Sequence, residues 1–512
     1  MRRLVSFFVI TFFLLFIIIG SSPVNSNRQT TQTYTISRDS LEVTQQANGY
    51  SHYTSYSELE SKLQQLSAKY DRIMKLYNNR GSSYEGRTLW VVKISDNPGS
   101  LEDDEPELLF LGAHHGNELI GNEMAIYIIE TLTKNYDTDP RISWLVNHHQ
   151  IWIVPMPNPD GTEYTMNVES WRKNRSPNYI SETTPGPFDP KVYPTSYGVD
   201  LNRNYDIEWG DPGGSTRLVQ QSGTYSGPEP FSETETRAIR DLVLEHNFTF
   251  YMDYHSGIEL ILYPWGYTSD PTPDNALFEG VAQKLSELTG YEARQGYDLY
   301  QTNGDAVDWV YYATRTLSFT VELSREYAPD KDRVDEVIKN NIKQPLFLMG
   351  ISSDPELGVD IDIIHNNIGN QTDKGPYPVT AMVAGLHELS GLEVRLYYKI
   401  NNGDYTKIKM AFSKENTNQY YAEIPTQAPH SKIKYFVTVE SEDLMVTSPP
   451  GPYINEFEIK PLPESITTNT ELAAMIIMMI IIMGFFWGGF GYASFIAMRA
   501  EQRKLHEYYY GD

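Results

Sequence analysis

Histidine, glutamate and arginine are the residues of this sequence whose types and spacing could support catalysis. Of eleven histidines, His115 is the one followed three positions later by a glutamate, Glu118. On a helix or in a tight turn this spacing directs both side chains at one point, as metal ligands require. The chain has no cysteine, so a metal site would depend on histidine and carboxylate ligands. Chance also produces such a pair, and it indicates a metal centre only together with other signals.

Further polar residues stand where apolar runs end. His255 and Glu322 each end such a run, and open α/β sheets bind ligands at the carboxyl ends of their strands. His255 could supply a third metal ligand, and an ionised Glu322 would be costly there unless it were used or paired. Arg172 and Arg203 lie in connecting segments, where a guanidinium group could meet a carboxylate or an oxyanion. The remaining histidines, including His114, are interpreted as strand-end or packing residues.

These residues belong to a series of motifs. In chain order the motifs are His115-Gly-Asn-Glu118, Asn158-Pro-Asp-Gly161, Trp171-Arg172-Lys173, Asp200-Leu-Asn202-Arg203-Asn204, Tyr254-His255-Ser256, Tyr300-Gln301 and Phe319-Thr-Val-Glu322. The series resembles, in the same order, that of the zinc metallocarboxypeptidases of the carboxypeptidase A/B type. The likeness covers about residues 50–352. Any one of the motifs is weak, whereas the ordered series is specific.

The resemblance implies a catalytic centre with one zinc ion. His115, Glu118 and His255 would bind the metal, and water would take the open fourth position, which is the pattern of catalytic zinc. Glu322 would act as the general base and later protonate the leaving amine. Arg172 would stabilise the oxyanion of the tetrahedral intermediate.

The resemblance also implies an exopeptidase whose substrates are the C-termini of peptides or proteins. Asn202 and Arg203 would bind the terminal carboxylate, and Tyr300 would close over the bound residue. Val307 would lie at the base of the side-chain pocket, which favours apolar or aromatic C-terminal residues. Asp305 matches an acid of some bacterial relatives that also accept basic residues, so we expect apolar residues first and basic ones in addition.

The ends of the chain predict a secreted, membrane-anchored protein. The apolar run near the N-terminus, followed by small residues, is typical of a signal peptide. An uncharged run near the C-terminus is long enough to span a bilayer, and the basic residues after it place the tail in the cytoplasm. We therefore expect a single-pass protein with its catalytic domain at the cell surface. The segments are a signal peptide (1–26), a linker (27–47), a second linker (462–471), a transmembrane helix (472–498) and a cytoplasmic tail (499–512).

Hydrophobic periodicity divides the rest into two domains. Strand-like runs alternate with helical patterns in residues 48–352, which predicts an α/β catalytic domain with an open mixed β-sheet flanked by helices. Its first helix has a possible N-cap at Ser57, with Glu60 completing a capping box. Residues 353–461 contain short strand-like runs separated by Gly, Asn and Pro, which predicts a small all-β immunoglobulin-like sandwich serving as a stalk or packing partner.

Composition excludes one class of function, and two alternatives stay open. The net charge is −26, and the sequence has no basic tract, which argues against nucleic acid as a partner. The first alternative is a non-catalytic binding protein on the same fold. The second is a related enzyme that cleaves cell-wall or isopeptide substrates.

Overall fold

The computed structural model describes residues 50–461, with gaps at 177–196, 212–221, 373–374, 385–390 and 414–417. Within these described residues, no helix combines the length and the apolar character needed to cross a bilayer. The predicted terminal segments all lie outside the described residues: the signal peptide, both linkers, the transmembrane helix and the cytoplasmic tail.

An eight-stranded mixed sheet forms the centre of the larger, α/β domain. In space its strands follow the order β1-β2-β4-β3-β5-β8-β6-β7, in which β4, β3, β5 and β8 are parallel and the pairs β1-β2, β2-β4 and β6-β8 are antiparallel. The mixed α/β sheet expected from the sequence is therefore confirmed. The strands are β1 (Met74–Tyr77), β2 (Val91–Ile94), β3 (Glu107–Leu111), β4 (Gln150–Val154), β5 (Phe248–His255), β6 (Ile258–Tyr263), β7 (Glu292–Gln295) and β8 (Leu317–Ser324).

Helices cover both faces of this sheet. Along β3, Leu108 and Phe110 join one apolar cluster, and Leu109 and Leu111 join a second on the opposite face. Burial on both faces is typical of parallel strands between helical layers. The helices are α1 (Tyr56–Lys69), α2 (Leu119–Asn135), α3 (Pro140–Asn147), α4 (Pro159–Asn167), α5 (Thr234–Glu245), α6 (Asn275–Thr289), α7 (Ala306–Thr314), α8 (Lys331–Asn341), α9 (Lys343–Ile351) and α10 (Pro355–Asp360).

The first helix begins earlier than the sequence predicts. The sequence predicts a capping box at Ser57 and Glu60, but the observed box joins Ser55 and Glu58. The backbone N–H of Ser55 donates to the Glu58 carboxylate at 2.9 Å, so that prediction is wrong. Both pairs satisfy the same sequence pattern. When Ser55 is the N-cap, the first helical residue is Tyr56, and its backbone N–H donates to the Glu163 carboxylate of α4 at 2.7 Å.

The C-terminal part of the described chain, here called the β region, contains two antiparallel sheets. One sheet has the order β13-β14-β10-β9, and the other has the order β12-β11-β15-β16 with β17 also paired to β15. The first strand begins at Asp362, after α10, whereas the sequence places the domain boundary at 353. The strands are β9 (Asp362–His365), β10 (Tyr377–Ala384), β11 (Glu393–Ile400), β12 (Thr406–Lys409), β13 (Ala411–Phe412), β14 (Gln419–Ile424), β15 (Lys432–Glu440), β16 (Met445–Ser448) and β17 (Asn455–Glu458).

The β region shares an apolar core with the α/β domain. Arg141 of α3 crosses the boundary between them, with a side chain only 3% exposed. Its guanidinium group donates to the backbone carbonyl of Tyr453 at 2.7 Å and lies 4.3 Å from the ring of Phe436. Gly350 of α9 approaches so closely that a Cβ there would lie 2.3 Å from the carbonyl oxygen of Met445. The β region is thus packed firmly against the α/β domain.

Candidate active site

Three potential metal ligands meet at the carboxyl edge of the central sheet. His115 and Glu118 lie in the turn between β3 and α2, where Glu118 occupies the N-cap position of the helix. His255 is the last residue of β5. The Nδ1 atoms of the two histidines are 3.0 Å apart. The Glu118 carboxylate oxygens lie 2.8 Å from His115 Nδ1 and 2.9 Å from His255 Nδ1, so all three side chains converge on one point.

This cluster has the composition and the size of a zinc site. Zinc–nitrogen bonds of about 2.0–2.1 Å in a tetrahedron place two nitrogen ligands about 3.3 Å apart, close to the 3.0 Å between the two Nδ1 atoms. Two buried ring nitrogens that face each other this closely cannot both carry a proton, and the adjacent carboxylate favours a cation. The residues therefore fit a zinc ion with three protein ligands and an open fourth position.

Asp200 connects one of these ligands to Arg172. Its Oδ1 lies 3.1 Å from His115 Nε2, and its Oδ2 accepts a hydrogen bond from Arg172 Nε at 2.9 Å. Burial opposes the charged form, but Arg172 and His115 outweigh it and hold the pKa of Asp200 well below its usual range. A carboxylate that accepts a hydrogen bond from Nε2–H of His115 keeps the proton on that nitrogen and leaves Nδ1 free to bind a metal.

Glu322 of β8 lies beside the metal ligands. It is the Cα partner of His255 on the neighbouring strand β5. Its Oε2 is buried and has no hydrogen-bond partner among the described residues. Burial first, and then the charge of Glu118, raises the pKa of Glu322 to about 8. A carboxyl group in this position can accept or donate a proton near neutral pH.

Arg203, Tyr300 and Asn202 form the next part of the site. Arg203 is only 2% exposed and donates a hydrogen bond to the Tyr300 hydroxyl at 3.2 Å, while Tyr300 itself is 49% exposed. The Asn202 Oδ1 accepts the backbone N–H of Ala306 at 2.8 Å, and its Nδ2 lies 3.3 Å from His255 Nε2. A buried guanidinium group is thus directed at the space beside the metal ligands.

A cavity of about 250 Å³ joins these groups. The structure brings together all the site residues that were named from the sequence, and each of them lines this cavity. They are His115, Glu118, Arg172, Asn202, Arg203, His255, Tyr300, Asp305, Val307 and Glu322.

One wall of the cavity combines an apolar side chain with an acidic pair. Val307 lies beside Asp305, whose Oδ2 accepts from the Thr302 hydroxyl at 2.6 Å and whose Oδ1 accepts the Asp308 N–H at 2.9 Å. Burial raises the pKa of both acids, and the Asp305 charge raises that of Asp308 further. Burial and the closeness of the two groups therefore both oppose ionisation of the second carboxyl group.

Two residues near the ligands were not recognised from the sequence. His114, interpreted as a packing residue, stacks on His255 with ring centroids 5.7 Å apart and an interplanar angle of 7°. Asp253 lies two residues before His255 on β5, with its Oδ2 3.5 Å from His255 Nε2. Side chains at i and i+2 of a strand share a face, so the alternation of Asp253 and His255 was the signal that could have identified it.

Comparison with known proteins identifies the family. The zinc carboxypeptidase family profile matches residues 59–344. A zinc carboxypeptidase of Saccharothrix mutabilis subsp. capreolus is 34% identical over 293 residues, covering 54% of this chain and 63% of that protein. Carboxypeptidase A1 of Mus musculus is 32% identical over 252 residues, covering 48% of this chain and 56% of that protein. The chain thus spans less than two thirds of the length of these relatives.

Solved structures show the same fold. Thrombin activatable fibrinolysis inhibitor aligns with a TM-score of 0.53 at 23% identity, covering 59% of this chain and 75% of that one. Carboxypeptidase A from Helicoverpa armigera aligns with a TM-score of 0.52 at 24% identity, covering 59% and 73%. With the family profile matched over more than half of its length, the chain belongs to the zinc carboxypeptidase family.

Proposed function

We propose that this protein is a zinc-dependent exopeptidase that hydrolyses the C-terminal peptide bond of peptides or proteins. The observation that carries the proposal is the convergence of three groups in one cavity. These are the ligand set of His115, Glu118 and His255, the carboxyl group of Glu322, and the guanidinium group of Arg203. Together they provide for metal binding, proton transfer and recognition of a carboxylate.

The chain's own residues supply most of the chemistry. Bound zinc would contribute Lewis-acid polarisation of the scissile carbonyl and activation of water. Glu322 accepts the proton of the attacking water on the oxygen that has no partner among the described residues, and returns it to the leaving amine. A pKa raised to about 8 suits both transfers. Arg172, held by Asp200, donates to the oxyanion that develops on the substrate.

Arg203 restricts the reaction to chain ends. A guanidinium group binds a carboxylate through two parallel hydrogen bonds, and an internal peptide bond offers no such group. Without substrate, Arg203 donates a hydrogen bond to the Tyr300 hydroxyl. A substrate carboxylate is a stronger acceptor and would replace this hydroxyl. Tyr300, half exposed on its connecting segment, then covers the bound residue.

The cavity wall supports a mixed preference with apolar or aromatic C-terminal residues first. Val307 offers an apolar contact, and burial disfavours the charged forms of Asp305 and Asp308 beside it. Asp305 still provides a carboxyl group that can pair with a basic side chain.

The proposed location is the cell surface, with the catalytic domain outside and a single C-terminal membrane helix. The apolar runs at the two ends of the sequence and the basic residues that follow the second run support it. The lipid bilayer is then a partner of residues 472–498.

The test uses the full-length protein in detergent with a blocked dipeptide that ends in Phe. We expect hydrolysis that a zinc chelator abolishes and added zinc restores. Glu322→Gln should reduce kcat by about 10²-fold to 10⁴-fold, the usual contribution of a general base. Glu326→Gln, on the exposed segment after β8, is the matched control. Zinc binding without cleavage of either α-linked peptides or isopeptides would instead identify a binding protein.

A further inference from the structure

Asp253 is a buried acid that the proposed mechanism does not use. It lies on β5 two residues before His255, so both side chains are on the same face of the strand. Its side chain is 0% exposed. Thr320, its Cα partner on β8, donates its hydroxyl to Asp253 Oδ1 at 2.6 Å. One carboxylate oxygen is therefore fixed by the central sheet itself.

The other oxygen is directed at histidines. Asp253 Oδ2 lies 3.5 Å from His255 Nε2 and 3.5 Å from His114 Nδ1, and the Tyr251 hydroxyl donates to it at 3.4 Å. Within the described part of the chain, the ion pairs of Asp253 involve these histidines and no lysine or arginine. A buried carboxylate needs compensating donors, and the fold provides the Thr320 and Tyr251 hydroxyls together with a nearby ring nitrogen of each histidine.

The hydrogen-bond network around His255 determines which ring nitrogen carries the proton. When His255 binds a metal through Nδ1, that atom has no proton and Nε2 must have one. Nε2 has two close polar neighbours, Asn202 and Asp253. Asn202 Oδ1 already accepts a hydrogen bond from the Ala306 N–H at 2.8 Å, so the Nδ2 atom is the one that faces His255. An amide NH₂ group donates hydrogen bonds and cannot accept one from the Nε2–H of His255.

We infer that Asp253 is a positioning residue that holds His255 in the tautomer able to bind zinc through Nδ1. Asn202 favours the opposite tautomer, in which Nε2 accepts from the amide and Nδ1 donates toward Glu118. Asp253 thus shifts a ring with two possible arrangements toward the one that binds metal. It does for His255 what Asp200 does for His115 on the other side of the site.

His114 supports the same arrangement. Its Nε2 lies 2.9 Å from the Tyr205 hydroxyl, and its ring is parallel to that of His255. If Tyr205 donates to Nε2, the His114 proton is on Nδ1, the atom nearest Asp253. Asp253 Oδ2 then has a ring nitrogen of each histidine 3.5 Å away, and the hydroxyls of Thr320 and Tyr251 donate hydrogen bonds to the carboxylate.

The test measures zinc affinity rather than activity, and it rests on the proposed zinc site. Zinc dissociation constants are obtained for the full-length protein by competition with a chromogenic chelator. Asp253→Asn should weaken zinc binding by about 10-fold to 100-fold, the usual effect of altering such a supporting group. The thermal midpoint of the metal-free protein should stay close to that of the wild type, because the substitution preserves volume.

Two further variants complete the experiment. Thr320→Val keeps the shape of the side chain and removes the hydroxyl that fixes Asp253, so it should weaken zinc binding about fivefold, the value of one hydrogen bond. If Asp253→Asn fails to fold, the zinc affinity of Thr320→Val tests the inference instead. Ser318→Ala on the same strand removes a hydroxyl that donates to the Val307 carbonyl and should leave zinc affinity unchanged.

The outcomes separate this inference from the proposed function. Tight zinc binding by the wild type with unchanged affinity in Asp253→Asn and Thr320→Val would overturn the inference alone. A lowered midpoint of the metal-free protein with unchanged zinc affinity would give Asp253 a structural role only, which also contradicts it. Absence of zinc binding by the wild type would overturn the proposed function together with the inference.

Discussion

The Arg203 guanidinium group donates a hydrogen bond to the Tyr300 hydroxyl, with 3.2 Å between Nη2 and the phenolic oxygen. Arg203, which is proposed to bind the terminal carboxylate, and Tyr300, which is proposed to cover the bound residue, are therefore in contact before substrate binds. A carboxylate accepts a stronger hydrogen bond from a guanidinium group than a hydroxyl does. When substrate binds, its terminal carboxylate therefore replaces the Tyr300 hydroxyl as the acceptor for Arg203. The pairing links recognition of the chain end to movement of Tyr300.

Replacing Arg203 should abolish the distinction between free and blocked chain ends. We expect Arg203→Met to lower kcat/KM for a peptide with a free C-terminus by about 10²-fold, since a charged hydrogen bond is worth about 1.5–3 kcal/mol. Activity on the same peptide with a C-terminal amide should change little. Arg240→Met, on α5 outside the cavity, is the control. An equal decrease in kcat/KM for both peptides would show that Arg203 does not bind the terminal carboxylate.

Replacing Asp305 should change the choice of C-terminal residue. Asp305→Asn keeps the N-cap of α7, because asparagine caps helices as well as aspartate does. It removes the carboxyl group that can pair with a basic side chain, so the ratio of kcat/KM for Arg-ending over Phe-ending peptides should fall about tenfold. Asp298→Asn, exposed and outside the cavity, should leave the ratio unchanged. Faster cleavage of Arg than of Phe by the wild type would contradict the proposed order of preference.

Glu105 makes stability depend on pH. Burial first, and then the charge of Glu102, raises its pKa from 4.5 to about 7. The folded chain therefore binds this proton more strongly than the unfolded chain, so the free energy of unfolding decreases as the pH rises from about 4.5 to about 7. Glu105→Gln should leave stability unchanged at pH 4. At pH 8 it should add about 1 kcal/mol, an estimate that allows for solvent screening.

Urea unfolding at the two pH values measures this effect. Asp103→Asn, on the exposed part of the same segment, controls for the loss of one negative charge. A gain in stability that is equal at pH 4 and pH 8 would contradict the assignment to Glu105.

Arg141 tests the attachment of the β region. Its buried guanidinium group pairs with Asp139 and reaches Tyr453 and Phe436. Arg141→Met should reduce the free energy of unfolding by about 3 kcal/mol, because it removes a buried guanidinium group and leaves the Asp139 carboxylate, which is only 16% exposed, without its partner. Arg72→Met breaks an ion pair whose side chains are 65% and 72% exposed and should change stability by less than about 0.5 kcal/mol. Similar small effects of both substitutions in urea unfolding would contradict the shared core.

The sequence predicted the features that depend on local pattern. His255 and Glu322 were recognised because each is a polar residue at the end of an apolar run, and the structure places them opposite each other on adjacent strands. The mixed α/β sheet followed from the alternation of strand-like and helical periodicity.

The features that depend on tertiary contacts were not predictable. Asp253 stands inside an apolar run, and its meaning depends on Thr320, which is 67 residues away in the chain. Both Ser55 and Ser57 satisfy the same local N-cap pattern, and the helix that begins after Ser55 has a contact with Glu163, 107 residues away, that the local pattern does not contain. Similarly, a mobile stalk and a firmly packed β region have the same short-strand pattern, and the contacts of Arg141 distinguish them.

The position of His255 and Glu322 on β5 and β8 has a consequence for local unfolding. Both strands are interior members of the sheet, in which Glu322 has Cα partners on both neighbouring strands and His255 pairs with β8. Tyr300 instead lies half exposed between a short 3₁₀ turn and α7. Amide protons at His255 and Glu322 should exchange with solvent only through large-scale opening, and those around Tyr300 through small, frequent fluctuations. Mild denaturant should therefore weaken binding of the substrate's terminal residue at a concentration well below the one that disturbs the metal centre.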